Sequence, residues 1–218
     1  MTVEIPQQHP HRPRQQGFTL IELLMVVAVI LILAGITFGI SRGVQNAQAR
    51  AKAKAELAII AQALEQFKSV HGDYPWAAGN PGNPTNNGRQ LLRALAGFMT
   101  FAKNNQGTVV FRNASDIPTD GPRSFIDLTK VSMDRRASQL PSNPATPPPN
   151  FYFMDPWGRP YVYRYKAAAD DAWEKFGYIL FSNGPDGQPG TAIPATGIMP
   201  AKDPSSNPDA VDNIYAGE

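Results

Sequence analysis

"RQQGFTLIELLMVVAVILILAGITFGI", Arg14 to Ile40, is the stretch whose reading decides the fold. From Phe18 to Ile40 it runs 23 residues with Glu22 as the only formal charge. At ~1.5 Å per helical residue that is ~34 Å, enough to cross a hydrocarbon layer of ~30 Å. The alternative is a cleaved secretory signal. Its apolar core would be only about 7 to 15 residues long and would end at a small-residue site of the A-x-A kind, which does not follow here. Arg12 and Arg14 precede the run, and Arg42, Arg50, Lys52 and Lys54 follow it. Charge bias alone therefore argues only weakly for an inward N-terminus.

Glu22 is the anomaly. A carboxylate among aliphatic side chains at membrane depth is costly and calls for a cationic partner, yet the span holds no Lys or Arg. A cut between Gly17 and Phe18 would create one: the new amine would lie at the same depth in a neighbouring subunit, or on the same helical turn. The positive end of the helix dipole favours an anion at this position as well. The competing explanation is a carboxylate that merely snorkels to the interface.

The octapeptide "GFTLIELL" resembles the processing and methylation site of type IV pilins and type II secretion pseudopilins. The resemblance implies that a prepilin peptidase, a membrane aspartyl enzyme, cuts after Gly17 and methylates the amine of Phe18, and that Glu22 is the assembly position. It also implies an orientation. The leader, residues 1–17, is cytoplasmic; residues 18–40 form the transmembrane and filament-core helix in the inner membrane; the remainder is periplasmic.

Composition narrows the other possibilities. Removing residues 1–17 leaves 18 Lys+Arg against 17 Asp+Glu, so nothing suggests a nucleic-acid partner. No cysteine is present, which removes disulfides, thiolate nucleophiles and Cys-ligated metals. His9 and His11 lie in the leader, leaving His71 alone, so a histidine triad or zinc cluster is not expected. The 21 prolines and 18 glycines concentrate beyond residue 72 and indicate a loop-rich globular part.

Past Ile40 the pattern turns amphipathic, with Leu57, Ile60, Ala61, Leu64 and Phe67 at helical spacing and Lys52, Glu56, Gln62 and Glu65 elsewhere on the wheel. No proline interrupts Phe18 to Val70, and the Ala-rich stretch 47–63 favours helix. One long helix is expected, with residues 41–72 its amphipathic continuation, His71 its end and Gly72 its cap. Two helices hinged at Gly35, Gly39 or Gly43 remain the alternative.

"RQLLRALAGFMTFAK", residues 89–103, is read as a second amphipathic helix with Leu91, Leu92, Leu95, Phe98 and Met99 on one side. Residues 104–150 show no strong period and end in a Pro-rich extended segment. The last third reads as strands: 151–153, "PYVYRY" and "FGYILFS". Tyr161, Tyr163 and Tyr165 alternate onto one face and Val162 and Arg164 onto the other. A tyrosine stripe could bind sugar, but it more often packs a sheet on a helix, and Leu57, Leu64 and Phe67 offer the matching face. Asp170 and Asp171 are adjacent and make a poor general acid/base pair, so no enzyme is expected.

"DPWGRPYVYRY" and "FGYILFSNGPDGQPG" resemble the head of the type II secretion major pseudopilin, the G-type subunit. With the N-terminal segment the likeness covers about half the chain. It departs at residues 104–150, which stand against that family as a variable insertion, and in a longer, Pro-rich tail after Gly190. The resemblance implies an α+β, type IV pilin-like fold, a long N-terminal helix packed on a small antiparallel sheet in a head of residues 73–218. It further implies a structural Ca²⁺ held by Asp186 and, near the C-terminus, by Asp212, with Asp209 a weaker rival. A glycine-rich turn in which Asp186 caps its own backbone is the plain alternative. Two carboxylates and backbone carbonyls are donors of the kind hard Ca²⁺ takes.

The function so implied is mechanical. Subunits would polymerise helically into a periplasmic pseudopilus with minor pseudopilins, driven by an inner-membrane platform and its ATPase, and help export folded proteins across the outer membrane. A type IV pilin for adhesion, motility or DNA uptake is the alternative, and a membrane-tethered carbohydrate-binding module a more distant one.

Overall fold

The computed structural model describes residues 17–76, 84–114, 123–134, 151–166, 172–174, 177–190, 197–198 and 202–217, and the backbone alone of residues 36–42 and 84–86. The leader up to Gln16, the Pro-rich segment 140–150 and the Asp170–Asp171 pair lie outside the described residues. The chain divides into two compact units, Met1–Val44 and Gln45–Glu218.

The architecture is α+β, an N-terminal helix followed by small antiparallel sheets, as a pilin-like fold requires. Helix α1 spans Leu20–His71. In the first unit it is apolar on every side. Between Phe18 and Leu33 each large hydrophobic side chain is exposed, from 46% at Val27 to 88% at Phe18. Among the described residues no helix is long and apolar enough to cross a membrane.

In the second unit α1 becomes one-sided. Ala53, Leu57, Ile60, Ala63, Leu64 and Phe67 are buried in the main core, the i, i+3/i+4 stripe expected of a helix laid on a globular layer. The helix stops at Gly72, whose φ of 85° only glycine takes freely, and the Gly72 amide closes the turn on the Lys68 carbonyl at 2.7 Å. The chain then turns on Asp73. Its carboxylate accepts from Tyr165 Oη at 2.6 Å and pairs with Lys166 Nζ at 2.7 Å, tying the helix end to the sheet. Burial works against ionisation there, but those two donors and the Tyr74 amide outweigh it and hold the Asp73 carboxyl below its usual range.

Helix α2, Pro84–Leu95, starts on a proline and ends earlier than its sequence pattern suggests. A helix through residue 103 was expected; instead Gly97, at φ 86°, reverses the chain. Its amide bonds the Ala94 carbonyl at 3.0 Å while the Phe98 amide bonds the Arg93 carbonyl at 2.7 Å, the paired closure that terminates helices at a left-handed glycine. Residues Met99–Lys103 then form strand β1, paired antiparallel with β2, Val109–Asn113, Phe101 facing Phe111. Leu91, Leu92, Leu95, Phe98 and Met99 are buried as their apolar character demands, but they are divided among the helix, the turn at Phe98 and the strand.

The second sheet has order β3-β4-β5, all antiparallel: β3 Val162–Arg164, β4 Ile179–Ser182 and β5 Ile214–Tyr215. Period-two alternation assigns its faces. Tyr161, Tyr163, Leu180 and Ile214 enter the main core with α1, and Tyr165 packs against it. Val162, Ile179 and Phe181 form a smaller cluster on the opposite face, where Tyr215 stacks on Phe181 with centroids 4.9 Å apart. Tyr161 and Tyr163 are each 1% exposed, so these two rings are core, closed to a sugar, while Tyr165 is half-buried.

Candidate functional site

The first candidate site is the start of α1. Thr19 precedes the first helical residue, where four amides lack intrahelical acceptors. Its hydroxyl oxygen accepts the Glu22 amide at 3.3 Å. In return the Thr19 amide and hydroxyl both donate to Glu22 Oε2 at 3.0 Å. This is a capping box of the T-x-x-E type. A cationic partner and the helix dipole are what the sequence offers Glu22 at first sight; this local partner is the addition, and Thr19-x-x-Glu22 is its signature in the sequence. Gly17 lies before the helix in open space, and Phe18 is the most exposed of the large apolar residues, so among the described residues nothing covers the Gly17–Phe18 bond.

The second candidate site is a loop system in the other unit, built by the two motifs of the last third. Asp155 is 3% exposed and organises its own turn. Its Oδ1 accepts the amides of Trp157 at 3.1 Å and Arg159 at 2.9 Å, and its Oδ2 accepts Ser182 Oγ at 2.7 Å. Ser182 Oγ in turn accepts the Gly184 amide at 3.1 Å. Arg159 reaches the same loop, donating from Nη1 to the Gly184 carbonyl at 2.7 Å. The "DPWGRP" turn and the "SNGPDG" loop are therefore one hydrogen-bonded unit.

That loop carries Asp186 to Asp212. The Asp186 amide donates to Asp212 Oδ2 at 3.2 Å, and Asp186 Oδ1 accepts the Gln188 amide at 2.8 Å. Gly184 permits the approach: its φ is 68°, and a Cβ there would fall on the main-chain carbonyl oxygen of Asp212. Among the described residues no hydrogen-bond partner meets the buried Asp212 Oδ1, Asn183 Oδ1 or Asn213 Oδ1. Burial raises the Asp212 carboxyl above its usual range; the Asp186 amide opposes that shift and the Asp186 carboxylate adds to it. Asp209 stands exposed in a 3-10 turn, Pro208–Ala210, and Asp212 is the acid that touches the loop. Carboxylate oxygens such as those of Asp186 and Asp212 suit a hard cation in kind. Among the described residues no group of three or more His, Cys, Asp or Glu gathers as a metal cluster.

A third feature went unpredicted. Glu56, placed by its spacing away from the apolar stripe, is 3% exposed. It accepts from Tyr161 Oη at 2.7 Å and from Ser132 N and Oγ at 3.1 and 2.9 Å, with Lys52 Nζ at 3.7 Å. Every donor but Lys52 is distant in sequence, so only the fold could reveal the site.

Residues 12–38 match the family described as the prokaryotic N-terminal methylation motif. That match supports the pilin and pseudopilin superfamily, and it implies processing by a prepilin peptidase and assembly of the subunit with copies of itself. No curated protein and no solved structure matches the chain.

Proposed function

We propose that the chain is the major, G-type pseudopilin of a type II secretion system, a structural subunit and not an enzyme. It starts as a single-pass inner-membrane protein with its leader, residues 1–17, in the cytoplasm and its head in the periplasm. The 23 residues Phe18–Ile40 span the bilayer, residues 41–72 continue the helix and residues 73–218 form the head. Prepilin peptidase cuts after Gly17 and methylates Phe18. The subunit then leaves the membrane for a helical pseudopilus, drawing on the assembly platform and its ATPase, with minor pseudopilins as further partners.

The observation that carries this is the methylation motif at residues 12–38 placed where α1 begins and where its apolar side chains find no cover among the described residues. Such a surface demands lipid or other copies of itself. Glu22 supplies the negative charge that meets the amine of Phe18 in the next subunit. The union of the "DPWGRP" and "SNGPDG" motifs in the head supports the secretion assignment. It also supports Ca²⁺ as a structural ligand held by Asp186 and Asp212, with Asn183 Oδ1 available; the ion would relieve the repulsion between the two carboxylates.

The test is a gene deletion in the native host, scored for secreted proteins and for surface fibres. Loss of secretion with surface fibres intact is expected. Loss of surface fibres with secretion intact would instead make the chain a type IV pilin.

A further inference from the structure

We infer that Arg159 is a positioning residue whose guanidinium acts as a tethered cation, closing the 183–188 loop without a bound ion and presenting Asp186 to Asp212 in advance. Consecutive carbonyls turn toward it: Nη1 donates to Gly184 O at 2.7 Å, and Nη1 and Nη2 both reach Pro185 O, at 3.4 and 3.3 Å. Those are main-chain oxygens of the kind a divalent cation would otherwise collect. The guanidinium also lies against Gly187, where a Cβ would fall on its central carbon and where φ is 78°, so the loop is shaped around the arginine.

The arginine itself is fixed. Its amide is held by Asp155 Oδ1 at 2.9 Å and its carbonyl accepts the Asp155 amide at 2.7 Å. The planar fork therefore leaves from a rigid turn and loses little freedom in reaching both carbonyls. Asp186 follows Pro185 directly and sets its amide on Asp212 Oδ2. The ordering cost that a cation would bear at this loop is thus met within the chain, so a divalent cation would find the two acids already together. This goes beyond the calcium assignment and stands without it.

Hydrogen exchange on the full chain in detergent micelles separates the two ideas, with residues 183–188 followed in chelator and in millimolar Ca²⁺. The wild-type loop should be protected in chelator, and Arg159→Gln should exchange about tenfold faster there while α1 amides near Leu64 keep their protection. Equal loop rates in both proteins would overturn the inference. So would a wild-type loop protected only by Ca²⁺. No response to Ca²⁺ in either protein defeats the calcium assignment and leaves Arg159 its role. If Arg159→Gln loses the α1 protection as well, Arg159→Lys decides, since it keeps the charge but not the fork: faster loop exchange with α1 protected upholds the inference, and wild-type rates overturn it.

Discussion

The phenol of Tyr161 donates to Glu56 Oε2 at 2.7 Å across 105 positions of sequence, joining the buried side of α1 to the start of β3. Glu56 is also held by Ser132, so its carboxylate ties α1 to two segments of the head. Tyr161→Phe removes one donor from a buried carboxylate. It should cost about 1 to 3 kcal/mol, seen as a lower urea midpoint at unchanged slope. Ser132→Ala, which leaves the Ser132 amide in place, should cost less. Equal stability of wild type and Tyr161→Phe would show that the bond contributes nothing.

The capping box at Thr19 and Glu22 lets the charge of Glu22 be separated from its hydrogen bonds. Glutamine at this position keeps an acceptor for the Thr19 amide but carries no charge. If Glu22 serves assembly by meeting the Phe18 amine of a neighbour, Glu22→Gln should insert into membrane, be cleaved after Gly17 and yield no filaments, as should Glu22→Ala. Wild-type filament yield from Glu22→Gln would leave the residue a helix cap only. Electron microscopy of sheared filaments, with mass spectrometry of the mature N-terminus, reads both outcomes.

Alkaline stability should follow the tyrosines. Burial, reinforced by the hydrogen bond to Glu65 at 2.8 Å, pushes the Tyr74 phenol up to about 12. Burial likewise raises Tyr161, Tyr163, Tyr165 and Tyr178. The folded chain holds these protons more tightly than the unfolded chain, so their stabilisation is complete below about pH 10 and is lost as the pH rises through their folded values. For Tyr74 that window runs from about 10 to about 12. Asp73 gives the opposite limb: its lowered carboxyl contributes stability above the ordinary Asp range, lost as the pH falls through its folded value. Phenolate absorbance recorded with circular dichroism tests this, and all seven tyrosines titrating together near pH 10 in a folded chain would sink it.

What the sequence made legible was whatever repeats locally. The buried stripe of Leu57, Ile60, Leu64 and Phe67 and the alternation of Tyr161, Tyr163 and Tyr165 are periodic signals that a packed helix and strand must carry. The stop of α1 at Gly72 rests on one residue's conformational freedom. Gly97 carried that same signal, but the apolar spacing of Phe98 and Met99 continued the helical pattern past it and hid β1. Strand β5, only Ile214 and Tyr215, is too short for any period. The burial of Glu56 depends on Tyr161 and Ser132, partners that no local window contains. Asp186 and Asp212 were identified through a resemblance; the hydrogen bonds of Asp155, Ser182 and Arg159 that bring them together belong to the folded loops.

The pair Asp186 and Asp212 makes a metal-dependent prediction with a definite sign. Burial and the neighbouring carboxylate raise the Asp212 carboxyl, so its ionisation costs stability in the folded chain. That penalty grows as the pH rises from the ordinary Asp range through the raised value. A bound Ca²⁺ needs the deprotonated acid, so its affinity should increase with pH across the same interval. At a free Ca²⁺ concentration 100 times the Kd, stability should rise by about 2.7 kcal/mol, and chelator should remove that gain. Gly184→Ala should weaken the response, because its φ of 68° and the carbonyl of Asp212 leave no room for a Cβ, with about 1 to 3 kcal/mol of strain added. Melting of the full chain in detergent, with Ca²⁺ and with chelator at two pH values, measures all three effects. An identical melting temperature in every condition would mean that Asp186 and Asp212 form a turn and hold no ion.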